Sequence, residues 1–323
     1  MVTYHLMAFS IPQGVLKQIN KLMRTFIWMK QERPGQAPSS LSLVNWSTVC
    51  RPRSLGGLGL PDLAKFGRAL RLRWPWFSWA DPDRPWIGLS SPCTSTDMDL
   101  FRASTRIQLG NGAKTLFWHD PWLPDGGITC ARWPRLYAIA TRKQRTVQKE
   151  LQGNNWIRSL QHIATPQELS DFVDLWGLIV GVSLTDATDT ISWRWSSSGS
   201  YSATSAYKVQ FVGSFPPFAT AKIWKAHAEP KVRFFAWTVL HGKILTADNL
   251  AIRGWPHSPF CSLCQTHLET IAHLCHECSF TAEEWDLIKL WDNDDSPAPT
   301  STVSIDAYWD SLIRGKPPLG GAR

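Results

Sequence analysis

The sequence predicts a mainly α chain with short β-hairpins and a small, metal-held helical module on its C-terminal side. Three observations predict it. Apolar residues recur at three- and four-residue spacing across residues 10–30, the period of an amphipathic helix. Two alternating runs carry glycine-bearing turns, at 105–118 and at 189–201, which is the pattern of hairpins. Cys261 and Cys264 stand before His273 and Cys278 in the spacing C-x2-C-x8-H-x4-C. A turn can aim both sulfurs of a C-x2-C at one point, and four soft ligands in this grouping suit tetrahedral Zn²⁺.

Composition sets the frame. The chain has 323 residues, 43% of them hydrophobic, enough for a sizeable core and roughly two domains. Seven cysteines, four of them between 261 and 278, argue for a reducing intracellular compartment over a disulfide framework. No apolar run approaches the ~18 residues that span a bilayer, and the N-terminus has no signal-peptide pattern, so no membrane partner is expected. The net charge is +8, and it is uneven. Residues 1–80 hold eleven Lys or Arg against two acids, Glu32 and Asp62, a net +9, while the remainder carries 23 basic and 24 acidic residues. Such a segment favours polyanionic partners. Nineteen tryptophans read mostly as core, with a minority able to stack on bases.

In chain order, Ser10-Ile-Pro-Gln13 fits a capping box with Pro12 in the first turn. The next helix carries Val15, Leu16, Ile19, Leu22, Met23, Phe26 and Ile27 on one side and Lys17, Lys21 and Arg24 on another. Residues 31–54 read as loop. Leu55-Gly-Gly-Leu-Gly-Leu-Pro-Asp62 is a tight backbone turn and not a nucleotide-binding glycine loop, because no strand precedes it. Asp62 caps a helix to about Arg73 that carries Lys65, Arg68, Arg71 and Arg73. Trp74, Trp76, Trp79 and Trp86 crowd its end, and Pro75 breaks or kinks it. A basic helix beside clustered aromatics is a contact surface for single strands, or an aromatic plug beneath a loop. Gly110-Asn111-Gly112 turns the first predicted hairpin. His119-Asp120 lacks an accompanying Ser or Cys nucleophile motif, so it carries no catalytic reading. One or two helices fill 147–183. The second predicted hairpin runs from Asp189 to Trp195, turns at 196–199 and returns at Tyr201, before a helix begins near Ser202. Pro216-Pro217 marks a linker.

In the C-terminal module, Pro230 opens a helix with the stripe Val232, Phe235, Ala236 and Val239, closed by Gly242. Thr246 caps a short helix ended by Gly254. His273 lies on a helix beginning near Thr270, and Trp285 on the last helix. Spacing alone leaves two ligand sets level: Cys261, Cys264, His273 and Cys278, or an all-cysteine site that takes Cys275 in place of His273. A closed site of either kind is structural and does no chemistry itself.

Several stretches together resemble one family. Trp193-x-Trp195, Gly199-x-Tyr201-Ser202, Ile223-Trp224-Lys225, Pro230-Lys-Val-Arg-Phe-Phe-Ala-Trp237 and Thr246-Ala-Asp248-Asn-Leu250 look like the zinc-binding region of plant non-LTR (LINE-type) reverse transcriptases. So do Cys261-x2-Cys264, Glu269-Thr270, His273-Leu274, Cys278 and Trp285. Phe26-Ile-Trp28, Gly56-Gly-Leu-Gly59, Gly110-x-Gly112, Phe117-Trp118 and Asp120-x-Trp122 resemble the region beyond the polymerase palm in those proteins. The resemblance implies a structural zinc held by Cys261, Cys264, His273 and Cys278, with Cys275 spare. It implies nucleic-acid contacts, for which Lys17, Lys21, Arg24, Lys65, Arg68, Arg71 and Arg73 are the candidates.

The departure from the family is equally specific. No Phe/Tyr-x-Asp-Asp palm motif is present, and Asp294-Asp295 lies in an acidic stretch without a strand pattern. The expected product is therefore an accessory module that is not itself an enzyme, with RNA or DNA, or an upstream polymerase fragment, as partner. A residual nuclease or polymerase and a protein-interaction module are the competing classes. The expected divisions are a basic helical segment at 1–88, an α+β connector at 100–215, the zinc-binding domain at 221–292 and a disordered acidic tail at 293–323. A nuclear site follows only from the family's mode of insertion.

Overall fold

The computed structural model describes residues 2–28, 42–215 and 223–292. The expected tail at 293–323, Asp294-Asp295 and the Pro216-Pro217 linker lie outside them. The described chain is mainly helical with one small antiparallel sheet. In order it runs α1 (Val2–Ala8), α2 (Gln13–Trp28), α3 (Trp46–Val49), α4 (Leu63–Arg71), α5 (Arg73–Ala80), α6 (Ser95–Ser104) and β1 (Thr105–Gln108). Next come α7 (Thr129–Arg132), α8 (Pro134–Ile139), α9 (Val147–Leu151), α10 (Asn155–Arg158), α11 (Pro166–Ile179) and β2 (Thr190–Trp193). The last helices are α12 (Ala203–Val209), α13 (Pro230–Leu240), α14 (Ala247–Ile252) and α15 (Ser279–Asp292). A π-helical turn, His273–Glu277, precedes α15.

The chain divides into two compact units, each from two separate stretches. One is Met1–Leu16 with Leu63–Val212; the other is Lys17–Asp62 with Gly213–Arg323. The consecutive divisions expected from the sequence are thus not how the contacts group: residues 17–62 belong with the zinc-binding stretch.

In the first unit, α4 packs on α1 and on α12. Its core is aromatic. Phe117, Trp118, Trp122, Trp133 and Trp156 are buried with Leu136 and Leu175. A second cluster joins Trp76 and Trp193 to Phe101, Leu72 and Ala206. Trp76 meets Trp193 edge-on at 6.5 Å and Tyr201 at 6.0 Å, so this member of the tryptophan crowd serves as a plug. The break before it falls at Leu72, and Pro75 sits in the first turn of α5, where a missing N–H is tolerated.

Neither predicted hairpin forms. β1 pairs antiparallel with β2, Thr105 opposite Trp193 and Gln108 opposite Thr190. For the first of them the cause is one buried carboxylate. Asp189 accepts the N–H groups of Gly110 and Gly112 at 2.8 Å each, those of Lys114 and Thr115 at 3.1 and 3.2 Å, and the Thr115 hydroxyl at 2.8 Å. Residues 110–115 therefore wrap an anion, and their donors are consumed before they can build a return strand. Hydrogen bonds to a charged acceptor outweigh neutral ladder bonds. Gly110 is required there, since a Cβ on it would lie 2.2 Å from the Ala187 carbonyl oxygen. Burial works against Asp189 ionising, but the bonds from Gly110, Gly112, Thr115 and Lys114 win, and its carboxyl is held below the usual range.

In the second unit, the glycine turn behaves as the sequence predicts. Leu58 and Gly59 donate to the carbonyls of Val49 and Arg51, and a Cβ at Gly57 would sit 1.9 Å from the Arg51 oxygen. Trp28, Val44, Val49 and Trp237 form the core, with Phe234 against Trp28 at 5.8 Å. That corrects the α13 stripe. Val232 and Phe235 are exposed, and the inward face is Phe234, Trp237 and His241. Trp237 Nε1 donates to the Gly56 carbonyl at 2.8 Å, and His241 Nε2 contacts the same oxygen at 2.7 Å. A polar anchor thus chose the face that hydrophobicity alone left open. In α2 the apolar band is wider than its seat. Leu16 and Trp28 are buried, with Ile19, Met23 and Ile27 half-buried, whereas Val15, Leu22 and Phe26 face out. The capping box is not used at its start, where the Pro12 carbonyl accepts from Val15 and Leu16.

Candidate metal centre

The site is assembled from a knuckle and a turn. Phe260 and Leu268 pair as an isolated antiparallel bridge. Inside it, Cys261 donates its N–H to the His267 carbonyl, and Gln265 donates back to the Cys261 carbonyl, both at 2.8 Å. That closes the loop holding Cys261 and Cys264. On the other side Thr270 Oγ1 accepts the His273 N–H at 3.1 Å and starts the winding. From His273 the backbone takes a π turn, and the Cys278 N–H bonds the His273 carbonyl at 2.8 Å. A bond from residue i+5 back to residue i lays Cys278 beneath His273 on one face. Cys275 is two positions from His273, and residues two apart on a helical winding do not share a face.

The geometry decides between the two ligand sets. One ligand atom each from Cys261, Cys264, His273 and Cys278 lie within 4.8 Å of one another; Cys275 is outside the group. Its carbonyl instead accepts from Trp285 Nε1 at 2.9 Å. Cys261 Sγ and Cys278 Sγ are 4.0 Å apart, and Cys264 Sγ and His273 Nε2 are 3.3 Å apart. Zn–S and Zn–N bonds of ordinary length give tetrahedral edges of about 3.8 and 3.6 Å. Both pairs could therefore close on a zinc ion with small shifts, and the donor set fits it.

Cys261, Cys278 and His273 are buried, and Cys264 is half-exposed. The Cys264 thiol is lowered to about 4, first by the Thr266 hydroxyl, which donates to its sulfur at 3.3 Å, then by backbone N–H groups of Thr266 and His267, with His273 also contributing. Burial pushes Cys261 up, as it does Cys275. A thiolate at Cys264 is what a soft cation requires.

Two residues escaped a reading by spacing. Glu269 spans the knuckle and α14: its Oε1 accepts the Ala247 N–H at 3.1 Å and its Oε2 the Ser262 N–H at 3.3 Å. It caps a helix from 22 positions away, and Thr246, the cap expected from the sequence, bonds Asp248 instead. The other is Thr266.

Residues 201–285 match the family described as zinc-binding in reverse transcriptase. The cluster falls wholly inside that match, so the zinc-binding assignment and the donor geometry agree. The match begins in one unit and ends in the other. A protein from Arabidopsis thaliana described as a "Putative ribonuclease H protein" is 23% identical over 320 residues, covering 88% of this chain and 49% of the relative. The chain thus spans about half the length of that relative. No solved structure matches this chain. Together these similarities support a retrotransposon-type, reverse-transcriptase-related region.

The predicted basic residues differ in exposure and in what their side chains touch. Lys17, Lys21 and Arg24 are exposed on α2, with Arg24 5.6 Å from the Trp46 ring centre. Lys65 lies over Phe211 at 4.9 Å, and Arg73 contacts the Met7 sulfur. Arg71 is a correction, since it is buried and donates to both oxygens of Asp97 at 2.8 and 3.1 Å. Arg68 joins it at 3.1 Å. Asp97 is itself buried and closes the capping box of α6 with Thr94. These two arginines pair with an internal carboxylate. No helix among the described residues is long and apolar enough to cross a membrane.

Proposed function

We propose that this chain is a zinc-stabilised accessory module of a LINE-type retroelement reverse transcriptase, and that it holds RNA or DNA for the polymerase. The observation that carries this reading is the four-donor cluster lying inside the reverse-transcriptase zinc-binding match. In it, Cys261, Cys264, His273 and Cys278 bind one structural Zn²⁺, and the ion stabilises the fold without taking part in a reaction. Lys17, Lys21 and Arg24 are the leading phosphate contacts, with Lys65 and Arg73 behind them. Arg68 and Arg71 act from within by holding α4 to α6. The module works at the site of genomic insertion, in the nucleus, beside the polymerase portion of a longer polypeptide. On its own it neither polymerises nor cuts nucleic acid, and Mg²⁺-dependent nicking that survives loss of the zinc ligands would overturn that part.

The test of binding is a salt titration with a labelled single strand. Three phosphate contacts on α2 predict a slope of about −2 log units of affinity per log unit of salt. Reversing Lys17, Lys21 and Arg24 to Glu should reduce the slope by about that amount. A flat response in the wild type would sink the nucleic-acid reading. One observation favours a second reading, docking onto a polymerase fragment: Leu287, Leu290 and Trp291 on α15 are exposed, Trp291 at 86%. Binding to that fragment in the absence of any affinity for RNA or DNA would select it.

A further inference from the structure

The outer face of the β1–β2 ribbon borders a groove lined by residues of the first unit. Alternation along the strands turns Thr105, Ile107 and Trp193 inward, where all three are buried. Arg106, Gln108, Thr190 and Ser192 are left facing solvent. They form the floor of an open cleft of about 570 Å³ that Leu123, Pro124 and Val182 also line. That volume is in the range of clefts that take small organic ligands.

The lining of the groove carries one charged side chain, Arg106. Among the described residues the Arg106 guanidinium makes no hydrogen bond, ion pair or ring contact, in contrast to Arg68 and Arg71 on their shared carboxylate. Asp189, next to Thr190, cannot neutralise it, because that carboxylate is buried and saturated by residues 110–115. Arg194 continues the outer face one step past β2: its N–H bonds the Ser104 carbonyl at 2.9 Å. Its side chain is exposed, with one guanidinium nitrogen on the Ala103 carbonyl. Two residues of extended chain separate the levels of Arg106 and Arg194 along the ribbon, about 7 Å.

We propose that this groove seats an unpaired nucleic-acid segment, with Arg106 and Arg194 on its phosphates, Gln108, Thr190 and Ser192 donating and accepting along its polar edges, and the apolar wall against a base. The inference rests on the reading that the chain handles nucleic acid and names a second contact surface for it. Planar, forked arginine donors suit phosphate oxygens. Mixed donors and acceptors on the floor suit base or sugar edges better than a purely anionic metabolite. The concave wall does not suit a duplex, which would need the ribbon to project.

The test uses the full chain, a fluorescein-labelled twelve-nucleotide oligouridylate and a duplex of equal length. Arg106→Glu with Gln108→Glu changes two exposed side chains that hold nothing in place, so melting temperature and zinc content should be unchanged. Oligouridylate binding should weaken about tenfold, and the salt slope should fall by about 0.7 for the lost phosphate. Thr190→Trp, which fills the groove without altering charge, should weaken it as well. If both variants bind as the wild type does while reversal of Lys17, Lys21 and Arg24 abolishes binding, the groove is excluded and the proposed function stands. Tighter binding of the duplex than of the single strand overturns the groove assignment alone. No binding by the wild type overturns both.

Discussion

His273 and Cys275 are two positions apart, and the π turn puts only one of them at the centre. This makes the zinc ligand set testable residue by residue. Purified wild type should carry one zinc per chain. His273→Ala and Cys261→Ser should lose it, and Cys275→Ser should keep it, by metal analysis of the dialysed proteins. Retention in His273→Ala with loss in Cys275→Ser would reverse the assignment. The cluster is largely legible in the sequence, because ligand spacing is a local property and C-x2-C constrains its own turn. What spacing cannot resolve is the winding after it, which decides whether His273 or Cys275 faces the other three ligands. Arg71 is illegible for a related reason. A sequence shows a cation on a helix face, but not the buried Asp97 26 positions away that claims it.

At the scale of elements, pattern locates the strands but not their partners. Alternation marks 105–108 and 190–193 correctly, since each has an inward face to bury. The glycine turn between 110 and 112 favours a local return, but Asp189 collects that loop's donors and directs β1 to a partner 80-odd positions along. Asp189→Asn should therefore cost on the order of 2–4 kcal/mol, because an amide cannot accept so many donors at full strength. The folded carboxyl is held below its ordinary value, so its contribution is present above about pH 3.9. It is lost only as the pH falls through the lower, folded value. The difference between wild type and variant in urea unfolding should be constant from pH 7 to pH 5 and should shrink near pH 3. A difference that grew on acidification would contradict the role given to this side chain. The α13 face is illegible for the same non-local reason: the Gly56 carbonyl that anchors Trp237 and His241 is more than 180 positions away.

For the whole molecule, the metal and the aromatic core hold different parts of the chain. Zinc sites in small modules supply about 10–16 kcal/mol, as much as an entire domain's net stability. Chelation should therefore release amide protection across 259–285, read by hydrogen exchange, while the segments carrying Phe117, Trp118 and Trp156 keep theirs. Loss of protection in both stretches at once would mean that the ion stabilises more than its own unit. The fold class and the location of the zinc-binding stretch can be read from pattern and motif. The division of the chain cannot, because nothing in a linear pattern shows that residues 17–62 group with residues beyond 213.

That grouping bears on how the zinc-binding stretch could be excised. Cutting at 201 and 285 keeps every metal ligand and discards the Gly56 oxygen, along with Trp28 and Val49. The isolated piece would hold its ion and still present a bare indole N–H and an unroofed aromatic face, a surface prone to self-association. A peptide spanning 42–62, added in trans, contains the missing carbonyl and part of the missing roof. Sequence similarity draws its border where the motif stops; the compact unit that holds the metal ligands is discontinuous, and its first part lies well before that border.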